Sequence, residues 1–563
     1  MGVTAYLNDT NSALETKRIK APKRSFGSVF LAGGNLHRIP DADSRMRGTM
    51  GSDMRWLQSN SLLICCSICA MCLPACRTAE TRLTTPRTVT PAAGKTLNRQ
   101  SGADPSGVLP LASGTEAFVA RLALASRAKK TLDLQYYIWR GDKTGKLLAG
   151  AVVETAERGV KARILLDDMG SAANDRSLLT LDSHPNIEVR LFNPISLRSM
   201  RMLGTLSDFG RVNRRMHNKS FTVDGQVAIV GGRNIADEYF DAADAMNFTD
   251  FDVVVRGPVV REVSDAFEQY WNCEAAVPIT LVSREKVSDA DLINGRRQLM
   301  EHRAQMETTR YGAALKSSKL ANTPLHQLPL FKGSAIVVSD RPEKVQTRPE
   351  DGSTHLAPLL RDVVAATQKE LTLVSPYFIP GKEGVAWMSG LEQRGVNVKV
   401  VTNSLASTDV AAVHAGYARY REDLLNAGVE IRELKPTLTK AAPKNDSTLG
   451  LTTSSKAGLH AKTFVFDRRW VFVGSMNLDP RSLRLNTEMG IVIDSPELAN
   501  QMLQRAESAL TQRTYLVKKG AKGLTWTTEV NGQIVTLQKE PSGGIKKALV
   551  KSIASLLPIE GQL

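Results

Sequence analysis

Apolar and polar positions fall into regular periods from residue 113 onward. "TEAFVARLALASRA" (115–128) has helical spacing, with Ser113 or Thr115 in front as a capping hydroxyl. "TLDLQYYIW" (131–139) has the composition of a strand, "GKLLAGAVVETAERG" (145–159) returns to helical spacing, and "VKARILLDD" (160–168) is a second strand. Strand, helix and strand at that spacing predict an α/β domain with parallel pairing. The order then repeats. "LTLVSPYFI" (371–379) matches the first strand, "RGVNVKVVTN" (394–403) matches "RGVKARILLD" (158–167), and "GVEIR" (428–432) matches "NIEVR" (186–190). Collinear matches at nearly constant offset predict one internal duplication.

The flanks read differently. Residues 1–53 are a polar upstream extension with no predicted structure, and 77–112, rich in Thr, Pro, Ser and Gly, reads as a flexible tether. Between them, "SLLICCSICAMCLPAC" (61–76) is too short for a spanning helix but fits the apolar region of a leader. "LPAC" is similar to a bacterial lipobox that would place a lipid on Cys76; a short uncleaved anchor is the other reading of residues 54–76. The repeats occupy 113–281 and 336–520, joined by a polar connection at 282–335. The tail 521–563 carries Ile545, Leu549, Ile553 and Leu556 on one helical face, predicting an amphipathic helix that lies on the protein's own core or on a membrane.

Composition adds a constraint. With 42% hydrophobic and 23% charged residues among 563, the chain is ordinary for globular proteins, which excludes disorder and collagen. Five of its six cysteines crowd into 65–76, so no disulfide framework can be drawn. Lys and Arg exceed Asp and Glu by 73 to 57, a net charge of +16 that suits an anionic partner, nucleic acid or lipid surface.

The chemistry lies where the duplication is sharpest. "MHNKSFTVDGQVAIVGGRN" (216–234) and "LHAKTFVFDRRWVFVGSMN" (459–477) both obey H-x-K-x4-D-x6-G-[GS]-x-N, with histidines 243 residues apart. His-x-Lys in extended chain puts both side chains on one face, roughly 7 Å apart. Each half then offers an imidazole (His217, His460), an ammonium (Lys219, Lys462) and an amide (Asn234, Asn477) to one point. Lysine and amide N–H groups suit phosphate oxygens, and two imidazoles suit a nucleophile and a general acid around one phosphodiester.

These paired motifs resemble those of the phospholipase D superfamily, over about residues 113–520. "LDLQYYIWRGDKTGKLL", "NTEMGIVIDSPELA" and "SLLPIEGQL" are further similar to the bacterial cardiolipin synthase C-type branch. The resemblance implies an α/β fold of two duplicated phospholipase D-like domains, each a mixed β-sheet flanked by helices, with the active site at the pseudo-twofold interface. It implies a phosphatidyltransferase that makes cardiolipin from phosphatidylglycerol and a second phospholipid through a phosphatidyl-histidine, with no cofactor and no metal. The catalytic set it carries over is His217, Lys219, Asp224, Asp250, His460, Lys462, Asp467 and Glu488. His217 would be the nucleophile and His460 the acid, with Lys219, Lys462, Asn234 and Asn477 binding phosphate. Asp224 and Asp467 mainly hold the site together, and each histidine is oriented by a carboxylate 25–33 residues downstream, Asp250 in the first half and Glu488 in the second.

Two rivals are hydrolysis to phosphatidic acid and a nuclease of the same superfamily. The apolar-rich run Ile195–Leu203 and the N-terminal leader argue against a nucleic-acid groove. Arg198, Arg201, Arg211, Arg214 and Arg215 around that run read either as a solvated basic loop or as an amphipathic lip for anionic head groups. The expected partners are phospholipid substrates and an anionic membrane surface, not nucleic acid. The expected location is the periplasmic face of a bacterial inner membrane, lipid-anchored at Cys76.

Overall fold

The first half of the chain runs through strands β1 (Ser106–Leu111), β2 (Thr131–Tyr136), β3 (Lys161–Asp167), β4 (Ile187–Phe192), β5 (Ser220–Val223), β6 (Val227–Gly231), β7 (Asn247–Thr249), β8 (Asp252–Arg256) and β9 (Ala276–Pro278). The second half runs through β10 (Phe331–Ser339), β11 (Glu370–Val374), β12 (Asn397–Asn403), β13 (Glu430–Leu434), β14 (Ala457–Leu459), β15 (Thr463–Phe466), β16 (Trp470–Gly474), β17 (Met489–Asp494), β18 (Thr514–Gly520), β19 (Gly523–Val530) and β20 (Gln533–Leu537). This computed structural model describes residues 105–541 except 172–174, 197, 199–207, 245, 324–326 and 437–456, and in addition 544, 551 and 552. The upstream extension, the leader with Cys76, residues 77–104 of the tether, Arg201 and most of the helical tail lie outside the described residues.

Pairing follows the predicted duplication. β2, β3 and β4 are parallel neighbours, and so are β11, β12 and β13. On the inner flank of each trio the chain turns antiparallel: β5 on β2, then β6, then β8; correspondingly β15 on β11, then β16, then β17. Apolar crossover helices cover the trios. Helix Lys143–Glu157, capped by the Asp142 carboxylate accepting from the Gly145 N–H at 3.0 Å, buries Leu148, Val152 and Ala156 on one stripe. In the connection, helix Asp289–Glu307 begins with a capping box at Ser288 and lies against that crossover helix.

Two segments depart from expectation. β1 occupies the end of the presumed tether, with Val108 fully buried between β8 and β10. Its Ser, Gly and Pro content hid it. Pro110 is tolerated because β10 pairs only with Ser106–Val108, so no ladder N–H is needed there on that side. The start of the presumed tail is instead the hairpin β19–β20. Its Asn531-Gly532 turn has both residues at positive φ (51° and 78°), the mirror-image turn that Asn-Gly favours.

β1 also joins the halves. It pairs with β8 on one side and β10 on the other, and β10 continues to β17, so eighteen described strands make one sheet. A second seam is parallel: β7 pairs with β14, one strand from each half. The role of β1 is testable. Val108→Asp places an unpaired carboxylate at a fully buried position and should cost about 4 kcal/mol, lowering the melting temperature by several degrees. A flexible tether would tolerate it unchanged.

Candidate active site

Each His-x-Lys tripeptide enters the sheet just ahead of an antiparallel strand, β5 or β15, whose partner is the first parallel strand of its half. That register brings His217 and His460 to the carboxyl ends of the parallel trios, where ligand crevices form in α/β sheets. The segments before the histidines are tied across the two halves. His217 N–H donates to the Thr487 carbonyl at 2.8 Å, and Thr487 N–H returns a bond to the Arg215 carbonyl at 2.9 Å. On the other side His460 N–H donates to the Thr249 carbonyl at 2.8 Å, continuing the β7–β14 ladder.

This exchange crosses the carboxylates. His217 Nδ1 lies 2.8 Å from Glu488 Oε2, and His460 Nδ1 lies 2.5 Å from Asp250 Oδ2. The expected downstream pairing, Asp250 with His217 and Glu488 with His460, is therefore wrong, although both carboxylates are the expected ones. Thr249 and Thr487 immediately precede Asp250 and Glu488, so backbone pairing between halves delivers each acid to the opposite histidine. Spacing along one half cannot reveal that.

All four side chains are buried: the histidines are 9% and 6% exposed and both carboxylates are fully enclosed. A carboxylate only accepts, so each Nδ1 carries the proton and each Nε2 keeps its lone pair. Burial, with Lys219 and Lys462 adding to it against Glu488, lowers His217 to about 4. Burial and Lys462 lower His460 as well, against Asp250. Burial raises the two acids, but His217, Lys219 and the Ser475 hydroxyl outweigh it for Glu488, and His460, Lys462 and Arg233 for Asp250, leaving both below the usual range. Neutral imidazoles on ionised carboxylates result.

The lysines complete one cationic centre. Lys219 and Lys462 fold back to donate to the carbonyls of His217 and His460. Burial lowers Lys462 to about 8 and Lys219 well below its ordinary value. Both ammonium groups act on both imidazoles, so the two motifs share a site. Asn234 and Asn477 stand at its edges, spending amide N–H bonds on the Tyr239 hydroxyl (2.9 Å) and the Ser482 hydroxyl (3.4 Å). Tyr137 packs edge-on against His217 at 5.2 Å and Tyr239 against His460 at 5.0 Å.

Asp224 and Asp467 are elsewhere. Seven residues beyond their histidines, roughly 23 Å of extended chain, they sit at the far strand ends. Both adopt positive φ (53° and 51°), and their carboxylates accept from consecutive backbone N–H groups, Lys129–Thr131 and Gln368–Glu370. They clamp the turn leading into β2 or β11 and touch none of the reacting groups, so they leave the catalytic set. The basic segment also changes. Arg198 pairs with Asp168 and Asp175, Arg211 with Asp208, Arg214 donates to the Val345 and Thr347 carbonyls, and Arg215 is 1% exposed beside Asp167. Internal partners hold these four, and residues 199–207, which carry most of the apolar positions of the expected lip, lie outside the described residues.

Three residues support the site in roles that the sequence does not reveal. Ser475 donates to Glu488 at 2.5 Å, and Asp340 accepts the Glu488 N–H at 2.7 Å and the Lys344 ammonium at 2.9 Å. In the first half the buried Arg233 guanidinium donates to the carbonyls of Leu111, Ala112, Tyr239 and Asp250. Gly232, the counterpart of Ser475, has no room for a side chain: a Cβ there would lie 2.2 Å from Asp250 Oδ1. The unequal motif positions Gly232/Ser475 and Arg233/Met476 were the available signal. Asp340, outside the motifs, had none.

A duplicated α/β fold with one such histidine motif per half defines a phospholipase D-like protein. A family model described as "Cardiolipin synthase, PLD-like domain" matches residues 122–271 and again 360–510, and the chain belongs to that family. Cardiolipin synthase C of Escherichia coli (strain K12) is 42% identical over 456 residues, covering 81% of this chain and 95% of that protein. The major cardiolipin synthase ClsA of Bacillus subtilis (strain 168) is 24% identical over 427 residues, 74% of this chain and 71% of that protein. The solved structure of phosphatidylserine synthase from Haemophilus influenzae Rd KW20 shares the fold, with a TM-score of 0.53 at 16% identity, covering 82% of this chain and 97% of that one.

The crossed pairing has a direct readout. Removing the charge in Glu488→Gln deletes what raises His217, so that imidazole should stay neutral to still lower pH while His460 barely moves. Asp250→Asn should do the same to His460. Histidine NMR titrations check this, and the opposite assignment would refute the pairing.

Proposed function

We propose that this chain makes cardiolipin by passing a phosphatidyl group from one phospholipid to the terminal hydroxyl of phosphatidylglycerol, the first lipid being phosphatidylethanolamine or a second phosphatidylglycerol. The observation that carries the reading is the pair of neutral buried imidazoles, each backed by a carboxylate, beside two ammonium groups. His217 Nε2 attacks phosphorus, and the N–P bond forms as the bond from phosphorus to the headgroup oxygen breaks. His460, protonated once the anionic diester binds, delivers its proton to that oxygen. Lys219, Lys462 and the two asparagine amides stabilise charge on the non-bridging oxygens. The acceptor hydroxyl then attacks phosphorus, gives its proton to His460 and displaces His217. Water in place of that hydroxyl yields phosphatidic acid.

Glu488 and Asp250 fix the tautomers and stabilise each imidazolium as it forms, the logic of a carboxylate–histidine pair. The low His217 value favours the free lone pair at neutral pH, and the low His460 value makes its protonated form a ready acid. The experiment is trapping on single variants. With a nitrophenyl phosphodiester, whose leaving group needs no protonation, His460→Ala should accumulate a labelled phosphatidyl-enzyme and His217→Ala should not. The reverse pattern swaps the roles, and normal cardiolipin output from either variant sinks the shared-site mechanism.

Delivery to the lipid substrate is assigned to the apolar run at 61–76, with a lipid on Cys76 and the enzyme on the periplasmic side of the inner membrane. No helix among the described residues is long and apolar enough to cross a membrane. Labelled palmitate should enter the wild type and not Cys76→Ser. Membrane retention without label in either would favour the uncleaved anchor.

A further inference from the structure

The loop that follows β12 carries an acid which the reaction does not use. Asn403, the last residue of β12, brackets the residue before His460: its Oδ1 accepts the Leu459 N–H at 3.0 Å and its Nδ2 donates to the Leu459 carbonyl at 2.9 Å. The chain then closes a tight turn, with Ser407 and Thr408 N–H groups donating to the Ser404 carbonyl at 3.1 and 2.9 Å. Asp409 follows, exposed, with the Tyr377 hydroxyl donating to its Oδ2 at 2.7 Å. The turn closes through its own bonds, so the carboxylate is not what holds the loop.

Position gives this carboxylate meaning. Four carboxylates bear most on the Lys462 ammonium: Asp250, Glu488, Asp409 and Asp479. Three are buried and Asp409 alone is exposed. Its charge also bears on Tyr239, the ring packed edge-on against His460, and on Tyr377, on which Tyr239 acts in turn. A carboxylate whose charge reaches a phosphate-binding ammonium, on a loop bound to the residue before His460, repels phosphate and attracts whatever cationic or hydroxyl-bearing group is attached to it. The Tyr377 ring beside it adds the attraction of an aromatic face for an alkylammonium. The asymmetry matches the chemistry, because the headgroup oxygen departs toward the general acid and Asp409 stands on the His460 side.

We propose that Asp409, positioned by Tyr377, is the subsite for the far end of the departing headgroup, and that it favours an alkylammonium. The proposal rests on the phosphatidyltransferase reading with His460 as the acid. It gives the cleft a direction: the headgroup lies from His460 toward Asp409, and the acceptor hydroxyl enters along the same path after the headgroup has left.

The test uses the full chain with vesicles of phosphatidylglycerol containing phosphatidylethanolamine, and with vesicles containing phosphatidylmethanol, whose headgroup has no far end. Headgroup release is followed for each. Asp409→Asn should lower the selectivity for phosphatidylethanolamine over phosphatidylmethanol, read as the ratio of kcat/KM values, by about two- to fivefold, as expected for an exposed charge pair. Asp409→Glu should restore much of the ratio, and Tyr377→Phe should lower it by a smaller factor. An unchanged ratio in a folded Asp409→Asn protein, or a larger loss for phosphatidylglycerol as donor than for phosphatidylethanolamine, overturns the assignment. Failure of the wild type to form cardiolipin from any of these mixtures overturns the underlying reading instead.

Discussion

The site depends on two imidazole–carboxylate bonds that each cross from one half of the chain to the other. A buried imidazole without an acceptor for its Nδ1 proton has no fixed tautomer, and a buried carboxylate without a donor is costly. Each half therefore completes the other. The backbone exchanges at Thr249 and Thr487 set the geometry, and the side chains of Asp250 and Glu488 follow from it. Two lysines beside these pairs keep the acids ionised and the imidazoles neutral, the state in which a nitrogen lone pair is available.

The duplication is less symmetric than its motifs. Glu488 is held by a serine hydroxyl and, through its backbone, by a buried Asp340–Lys344 pair, whereas the backbone of Asp250 is held by a buried guanidinium. The longer acid goes with a serine and the shorter one with a glycine that has no space for a Cβ. Two nearly equivalent histidines can thus meet different demands in one reaction cycle without any change in the motif itself.

Much of this was legible from the residues alone. Period and spacing gave the parallel strands, the duplication and the histidine–lysine pairs, because each depends on local pattern. The crossed carboxylates were not legible, since a count of residues downstream says nothing about which half a strand pairs with. β1 was hidden by Ser, Gly and Pro, whose low strand propensity is outweighed here by two neighbouring strands. The Asn-Gly hairpin carries its turn signal in plain view, but the helical period of residues 545–556 dominates the pattern of the tail. Asp224 and Asp467 show the converse error: a residue can belong to a motif through its turn geometry alone.

The continuous sheet limits how the cleft can work. Two lobes joined by a loop can swing apart, but here β1 and β10 are laddered at Ser106–Val108, and the β7–β14 seam runs beside the histidines. Opening the halves like jaws would break main-chain bonds at both seams. The two halves therefore keep their register while the departing headgroup is exchanged for the incoming lipid at one pair of histidines, in sequence. A fixed pair of histidines of that kind enforces a shuttle: the first product leaves them before the second lipid can reach phosphorus.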